Sequence, residues 1–390
     1  MVNAAGKYGN TVHILGAISL LASISFGQAP AKPEPDVLEF NDGEKLIGHL
    51  VGGAGAKLTF HSDAAGDVTV DWASVKSLKS SGKFAVPQKG TVLDRHTDLS
   101  KVPQGSISLN DKKLEVDPGA GAAPTVMPVT NAANVVPEAS FMGAFKTPGL
   151  THDWHGTAGL GLDFISATQK SRNITAGVSL QRVVSSESWV SPRYKTLVNF
   201  NLADGQLSQV GKPTITTNLI HGGIEHDMFL SDKLFAFVSG DFLHSVSQGM
   251  KIQQSYAGGV GYVLLRTDRQ ELDVKGGIAY TRQSFESTTL ADGAIYTPAD
   301  KSLVGASLGE TYSRSFKGGI ALHEGFTFIP SFNDSSYYSD SSYLNLSIPV
   351  HKRINITIGG IDSYINVPPP GGGFKKNSFE FITQLSYKIN

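Results

Sequence analysis

Cysteine is absent from the 390 residues. That excludes disulfide frameworks, Cys-ligated zinc, Cys-ligated iron–sulfur clusters and thiol catalysis. Charge is scarce: Asp, Glu, Lys and Arg make up 17%, against roughly 25% in an average soluble domain. Net charge is nearly absent too, with 33 Lys and Arg against 34 Asp and Glu. The basic surplus that meets nucleic-acid phosphates is missing, so no nucleic-acid partner is expected. Long hydrophobic runs are missing as well; beyond the N-terminus no segment approaches the ~18 unbroken apolar residues of a spanning helix. What is abundant is Gly, at 43, with 20 Phe and 12 Tyr. Mean hydropathy is -0.08. A chain poor in charge without being greasy suits antiparallel β structure whose strands alternate apolar and polar residues.

The N-terminus has the layout of a targeting segment. Lys7 precedes a neutral, mostly apolar stretch from Thr11 to Phe26, ending at Ala29-Pro30-Ala31. A basic start, a short apolar stretch and small residues describe a secretory signal over 1–31. The alternative, a membrane anchor, needs a longer stretch of ~20 residues.

Residues 36–117 read as short strands: Val37–Phe40, Lys45–Val51, Lys57–His61, Val68–Trp72 and Val75–Leu78, with an echo at Ser106–Leu109 and Leu114–Val116. The turn Asn41-Asp42-Gly43-Glu44 is a hairpin signal. A small SH3-like or Sm-like β module of about sixty residues is expected, marginal on its own at that size. From 118 to 150 the chain is rich in Ala, Pro, Val and Gly, and an extended linker is expected.

From 151 to 390 period-2 segments recur, each about as long as a membrane-spanning strand. In Leu272–Thr281 one face carries Leu272, Val274, Ile278 and Tyr280, the other Asp273, Lys275, Gly277 and Thr281. Twelve such segments can be marked. The one at Leu234–His244 is unusual, with apolar residues on both faces. Short links near 230–233, 267–270, 315–318 and 351–353 alternate with long ones near 203–213, 245–252, 284–301, 331–341 and 366–377. That alternation is expected of an outer-membrane barrel, with short turns in the periplasm and long loops outside. The fold class expected is therefore all-β: an antiparallel transmembrane β-barrel of about 12 strands behind the small module. A secreted β-sandwich that binds a ligand is the soluble alternative.

Trp154, Tyr194, Tyr256, Tyr280, Tyr312 and Tyr343 lie near strand ends and are expected as membrane-interface aromatics. Asp163, Arg193, Lys195, Asp273, Lys275, Gln384 and Lys388 are expected to point into the lumen. The Gly pairs and Gly159-Leu160-Gly161 lack a following helix or Gly-Lys-Ser/Thr, so they read as packing positions rather than phosphate cradles. His244 and Ser245, with Asp241 nearby, are the nearest approach to a hydrolase constellation, but adjacent strand residues point to opposite faces. His152, Asp153 and His155, and His221, Glu225 and His226, contain metal-binding residue types without convincing geometry. No catalytic residue, cofactor or metal is expected.

The exported chain resembles domain-of-unknown-function family 481, whose members include a protein described as a salt-induced outer-membrane protein. The resemblance rests on Phe40–Gly48 and Val68–Val75, similar to a module that precedes this barrel. It also rests on Trp154-His155-Gly156 with Gly159-Leu160-Gly161, on Leu322–Phe326, and on Leu385-Ser386-Tyr387-Lys388-Ile389. It implies a bacterial outer-membrane location with the module in the periplasm, outer-membrane lipid and the barrel-assembly machinery as partners, and a link to envelope or salt stress. It implies no reaction. The expected role is structural or that of a narrow channel for small solutes, with an outer-membrane hydrolase as the alternative. No sequence feature names a partner for the module.

Overall fold

A computed structural model describes residues 35–389, apart from 95, 167, 168, 186, 188, 291, 371 and 372. The expected leader lies outside the described residues. The N-terminal module contains β1 (Asp36–Phe40), β2 (Lys45–Ala54), β3 (Lys57–Ser62), β4 (Gly66–Asp71), β5 (Val75–Ala85), β6 (Gln104–Asn110), β7 (Lys113–Asp117), β8 (Thr125–Pro128), β9 (Asn134–Pro137) and the helix α1 (Glu138–Ala144). Strands run in the order β4-β3-β2-β1-β5-β6-β7-β8, and β9 pairs with both β2 and β5. Because β1 pairs with the same two strands, β1, β2, β9 and β5 close a small barrel.

The hairpin signal operates as the residues require. Gly43 sits at φ +90°, a conformation that costs a side-chain-bearing residue energy, and its N–H donates to the Phe40 carbonyl at 3.0 Å. Alternation then sends Leu38, Leu58, Phe60 and Leu78 into one core with Trp72, Ile107, Leu109 and Leu114. One carboxylate is buried there. Asp36 accepts from Leu50 N at 2.8 Å, Ser80 Oγ at 2.7 Å and Ser81 N at 3.2 Å, tying β1, β2 and β5 together. Three donors offset its desolvation.

The expected linker is a correction. Residues 118–150 supply β8, β9 and α1, and Met127, Val129, Ala132 and Val135 belong to the module core. Strands of four residues are too short to display alternation, so composition alone looked extended. Only Phe145–Asp153 joins module to barrel without regular structure.

The barrel strands are β10 (Trp154–Ser166), β11 (Gln169–Val184), β12 (Tyr194–Gln209), β13 (Ile215–Phe229), β14 (Leu234–Ser245), β15 (Met250–Thr267) and β16 (Gln270–Phe285). A two-stranded loop hairpin follows, β17 (Thr288–Thr289) and β18 (Ile295–Tyr296). Then come β19 (Lys301–Ser315), β20 (Ala321–Pro330), β21 (Tyr338–His351), β22 (Ile354–Ile365) and β23 (Asn377–Ile389). Omitting the loop hairpin, these twelve strands form a closed antiparallel barrel, as expected. The ladder is uneven. β10 pairs with β11 along Trp154–Ser166, but meets β23 only along Gly156–Leu160.

The outer face is apolar. Leu160, Leu162, Phe164, Val238, Ile278, Leu308, Phe381 and Leu385 are all exposed, Leu162 at 68%. Their inward neighbours Thr175, Ser255, Asp273, Ser307 and Ser386 are buried. Each large apolar side chain left in water forgoes ~1.5–3 kcal/mol, so this inverted pattern requires lipid around it. Aromatics flank the apolar band. Tyr312 lies opposite Leu272, and Tyr280 is eight residues further along that strand; with strand rise and tilt the two stand ~20 Å apart along the axis. Among the described residues no helix is long and apolar enough to cross a membrane.

Loop lengths depart from expectation. At the end from which β10 starts, the module end, the links are 185–193, 230–233, 268–269, 316–320 and 352–353. At the far end they are 167–168, 210–214, 246–249, 286–300, 331–337 and 366–376. The expected long loop 203–213 is mostly strand, and 245–252 is half strand, leaving only 246–249 as a link. Ala203–Gln209 is polar, yet it continues β12 past the apolar band, paired with Gln169–Thr175.

The barrel lumen as candidate functional site

Inward residues at the module end fill the barrel. Lys195 on β12 reaches across to β16, where its Nζ donates to Glu271 Oε1 and Asp273 Oδ2, both at 2.8 Å. Arg266 Nε donates to the other Glu271 oxygen at 2.6 Å. One level further in, Lys275 on β16 pairs with Glu225 on β13 at 2.6 Å. Asp227, 2% exposed, lies on the same face of β13. Beside this lattice Phe229, Phe235, Phe237 and Val263 form an inward apolar cluster. The Phe229 and Phe235 rings are 5.3 Å apart, and the Lys275 ammonium stands 5.7 Å from the Phe237 ring centre. The doubly apolar pattern of β14 is thus explained: its inner face packs the lumen.

Above this floor lies a cavity of about 130 Å³. Its lining includes Asn199, His221, Glu225, Ser239, Asp241, Gln253, Ser255, Lys275, Ser307, Tyr343, Ile361 and Ser363. His221 Nε2 and Asp241 Oδ2 share a hydrogen bond of 2.6 Å. On the opposite wall Gln384 lies over Gly159, Gly161 and Gly177, where a Cβ would strike its side chain. Those glycines make room for packing.

The far mouth is bridged. β14 and β22 stand on opposite sides of the twelve-strand ring, yet the link 246–249 crosses between them. Gln248, fully buried, donates from Nε2 to the Ser363 carbonyl at 2.8 Å and the Lys376 carbonyl at 2.9 Å. Ser247 Oγ donates to Ser378 Oγ at 2.8 Å. Gly249 ends the crossing at φ +63°, with the Phe374 ring where a Cβ would stand.

The module is docked to the module-end rim. Phe141 of α1 stacks on Trp189 of the 185–193 link, centroids 5.7 Å apart, within a cluster that includes Ala85, Leu93 and Val102. Ser191 N donates to the Leu93 carbonyl at 2.8 Å, and Ser185 Oγ to the Ala144 carbonyl at 3.0 Å. Arg182 donates to the carbonyls of Pro148, Gly149 and His152.

Lys195, Asp273, Lys275 and Gln384 line or fill the lumen. Asp163 faces inward near the far rim and Lys388 near the module-end rim, both exposed. Arg193 is a correction: its guanidinium donates to the Ala144 carbonyl at 3.2 Å and serves the seam with the module. Trp154, Tyr194, Tyr256, Tyr280 and Tyr312 lie on the outward register. Tyr343 is a second correction. It lines the cavity with its ring against Gly325, because outward Leu344 fixes the parity of β21. Ser245 faces inward and bonds Ser247, while His244 faces outward and meets the Lys251 carbonyl. Asp241 is engaged by His221, so these three do not assemble. His226 stacks outside on Tyr194. The His152 carbonyl accepts from Arg182, Asp153 stands at φ +64°, and His155 is exposed at the start of β10. Among the described residues no three His, Asp or Glu side chains gather around one point as metal ligands would.

No curated protein matches the chain. Among solved structures, the NanC porin is 9% identical, covering 60% of this chain and 96% of its own, with a TM-score of 0.30. The COG4313 outer membrane channel from Pseudomonas putida F1 is 10% identical over 63% of this chain and 100% of its own, with a TM-score of 0.31. The translocator domain of the autotransporter NalP from Neisseria meningitidis is 10% identical over 62% and 91%, with a TM-score of 0.32. A family model described as "Protein of unknown function, DUF481" matches residues 158–389, nearly the whole barrel and more than half of the sequence, and the chain belongs to that family.

Proposed function

We propose that the protein is an outer-membrane barrel that acts as a narrow conduit for small polar solutes, in a closed conformation, with its module in the periplasm. Its partners are the surrounding lipid and the machinery that inserts barrels. The observation that carries this reading is the chemistry of the filling. Lys195, Glu225, Glu271, Asp273 and Lys275 bridge the lumen as ion pairs. A purely structural plug is served as well or better by apolar residues, since buried ion pairs add little net stability over well-packed hydrophobes. A polar filling can instead exchange its partners with water and solute as it opens.

The test is conductance in planar bilayers. The wild-type chain is expected to conduct rarely, and Lys195→Met combined with Lys275→Met to raise the open fraction at least tenfold. Silence in both, with both chains folded by heat-modifiable migration, favours a structural role.

A further inference from the structure

The cavity between the ion pairs and the 246–249 bridge has a composition that selects its occupant. The charged side chains on its inward register neutralise one another locally: His221 meets Asp241 at 2.6 Å, and Lys275 meets Glu225 at 2.6 Å, while Glu310, Asp340 and Asp362, which also border the space, stand on the outward register of β19, β21 and β22. An ion entering would bring uncompensated charge into a site whose charges are already paired. An apolar molecule would cover the Ser239 and Ser307 hydroxyls, which have no partner among the described residues, at a cost of ~1–3 kcal/mol for each group left unpaired, whereas Ser255 and Ser363 already bond Thr281 and Gln248. The remaining polar lining is largely hydroxyl, with Ser239, Ser255, Ser307 and Ser363 all facing the space. A hydroxyl both donates and accepts and turns to suit its partner. Asn199 Oδ1 is buried at the same wall with no hydrogen-bond partner among the described residues. The volume, about 130 Å³, falls just below the ~150 Å³ of an engineered cavity that accepts benzene, so it suits a molecule of about six to eight non-hydrogen atoms.

We propose that this chamber is a binding site for a small neutral polyhydroxylated solute of three or four carbons. The solute's hydroxyls exchange hydrogen bonds with the serines and donate to Asn199 Oδ1. Gln248 covers the site from the far end, since Ser363, to whose carbonyl it donates, also lines the chamber. The Lys275–Glu225 pair forms the floor. The proposal rests on the conduit reading for the solute's route, but not for its binding.

The experiment uses the full chain in detergent and in proteoliposomes, with erythritol as the probe and choline chloride and sodium acetate as charged comparators. Calorimetric titration is expected to show erythritol binding in the millimolar range and neither comparator binding within tenfold of it. Ser307→Leu, which fills the chamber, should weaken erythritol at least tenfold. Ser307→Thr keeps the hydroxyl, adds one methyl and covers the case in which the larger residue prevents folding; it should weaken binding a few-fold. Equal binding in the filled variant, equal binding of choline or acetate, or no erythritol binding would each overturn the proposal. Swelling of proteoliposomes carrying Gln248→Ala separates the two readings. Binding without erythritol uptake refutes the conduit and leaves the site. Uptake that Ser307→Leu does not slow refutes the site and leaves the conduit.

Discussion

In the module, Leu58 and Phe60 point into a dry core while Lys57 and His61 on the same strand meet water. In the barrel, Leu160 and Leu162 point out while Gly159 and Gly161 face Gln384. Both regions obey the same two-residue period; what differs is which side is dry. Their buried charge differs in the same way. The module buries the Asp36 carboxylate and satisfies it with three neutral donors from two neighbouring strands. The barrel buries ammonium and carboxylate together, and its Lys195–Asp273 and Lys275–Glu225 pairs span the lumen rather than adjacent strands. A neutral donor set fixes a strand junction for good. A cross-lumen ion pair can be replaced by water without unpairing any strand.

Five substitutions can break or sharpen that contrast. Phe60→Ala opens a cavity in the module core and should cost about 3–5 kcal/mol; the module should become protease-sensitive while the barrel keeps its heat-modifiable migration. If the barrel fails as well, the two regions fold as one. Leu308→Arg, at the level of Gly276 midway between Leu272 and Tyr280, puts charge in the middle of the lipid-facing band and should cost about 2–4 kcal/mol, read as a shift in the urea midpoint during refolding into lipid. Little or no shift would mean that this face meets water. Trp189→Ala removes the stack on Phe141 and should loosen the seam by about 1–2 kcal/mol. Proteolysis within 145–153 should then release an intact module, whereas unchanged resistance would move the docking energy elsewhere. Tyr280→Trp and Tyr343→Trp should differ chiefly in surroundings. Tyr280→Trp should change stability by less than about 0.5 kcal/mol and be quenched by brominated lipid. Tyr343→Trp should not be quenched, and quenching of both would place Tyr343 back at the membrane interface.

The number of barrel strands was legible because period 2 is a local property, as in Leu272–Thr281. The parity of Tyr343 was legible as well: Leu344, Leu346, Ile348 and Val350 form one face, which sends Tyr343 to the other. Grouping aromatics by nearness to strand ends obscured it. Strand lengths were underestimated where polar residues such as Ala203–Gln209 continue a ladder beyond the apolar band. The lumen residues followed from alternation, but their partners did not. Lys195 and Asp273 are 78 positions apart, and nothing local in either segment names the other. Gln248 offered no signal, since its bonds depend on β14 and β22 facing one another across a closed ring. The stack of Phe141 on Trp189 was hidden for the same reason, and because α1 lay in a segment whose composition suggested a linker.

The short meeting of the first and last strands bears on how such a chain comes to be closed. β10 joins β11 along its whole length but β23 only from Gly156 to Leu160. Every other join links strands that follow one another in the barrel, and each hairpin can form as its turn is made. The join between β10 and β23 closes the longest stretch of chain, and it offers the fewest backbone hydrogen bonds in return. Without it the wall is a curved open sheet with two free edges. The unpaired N–H and C=O groups of such edges are a template for another strand, so this short seam, five residue pairs long, is also what keeps the wall from pairing with a stranger.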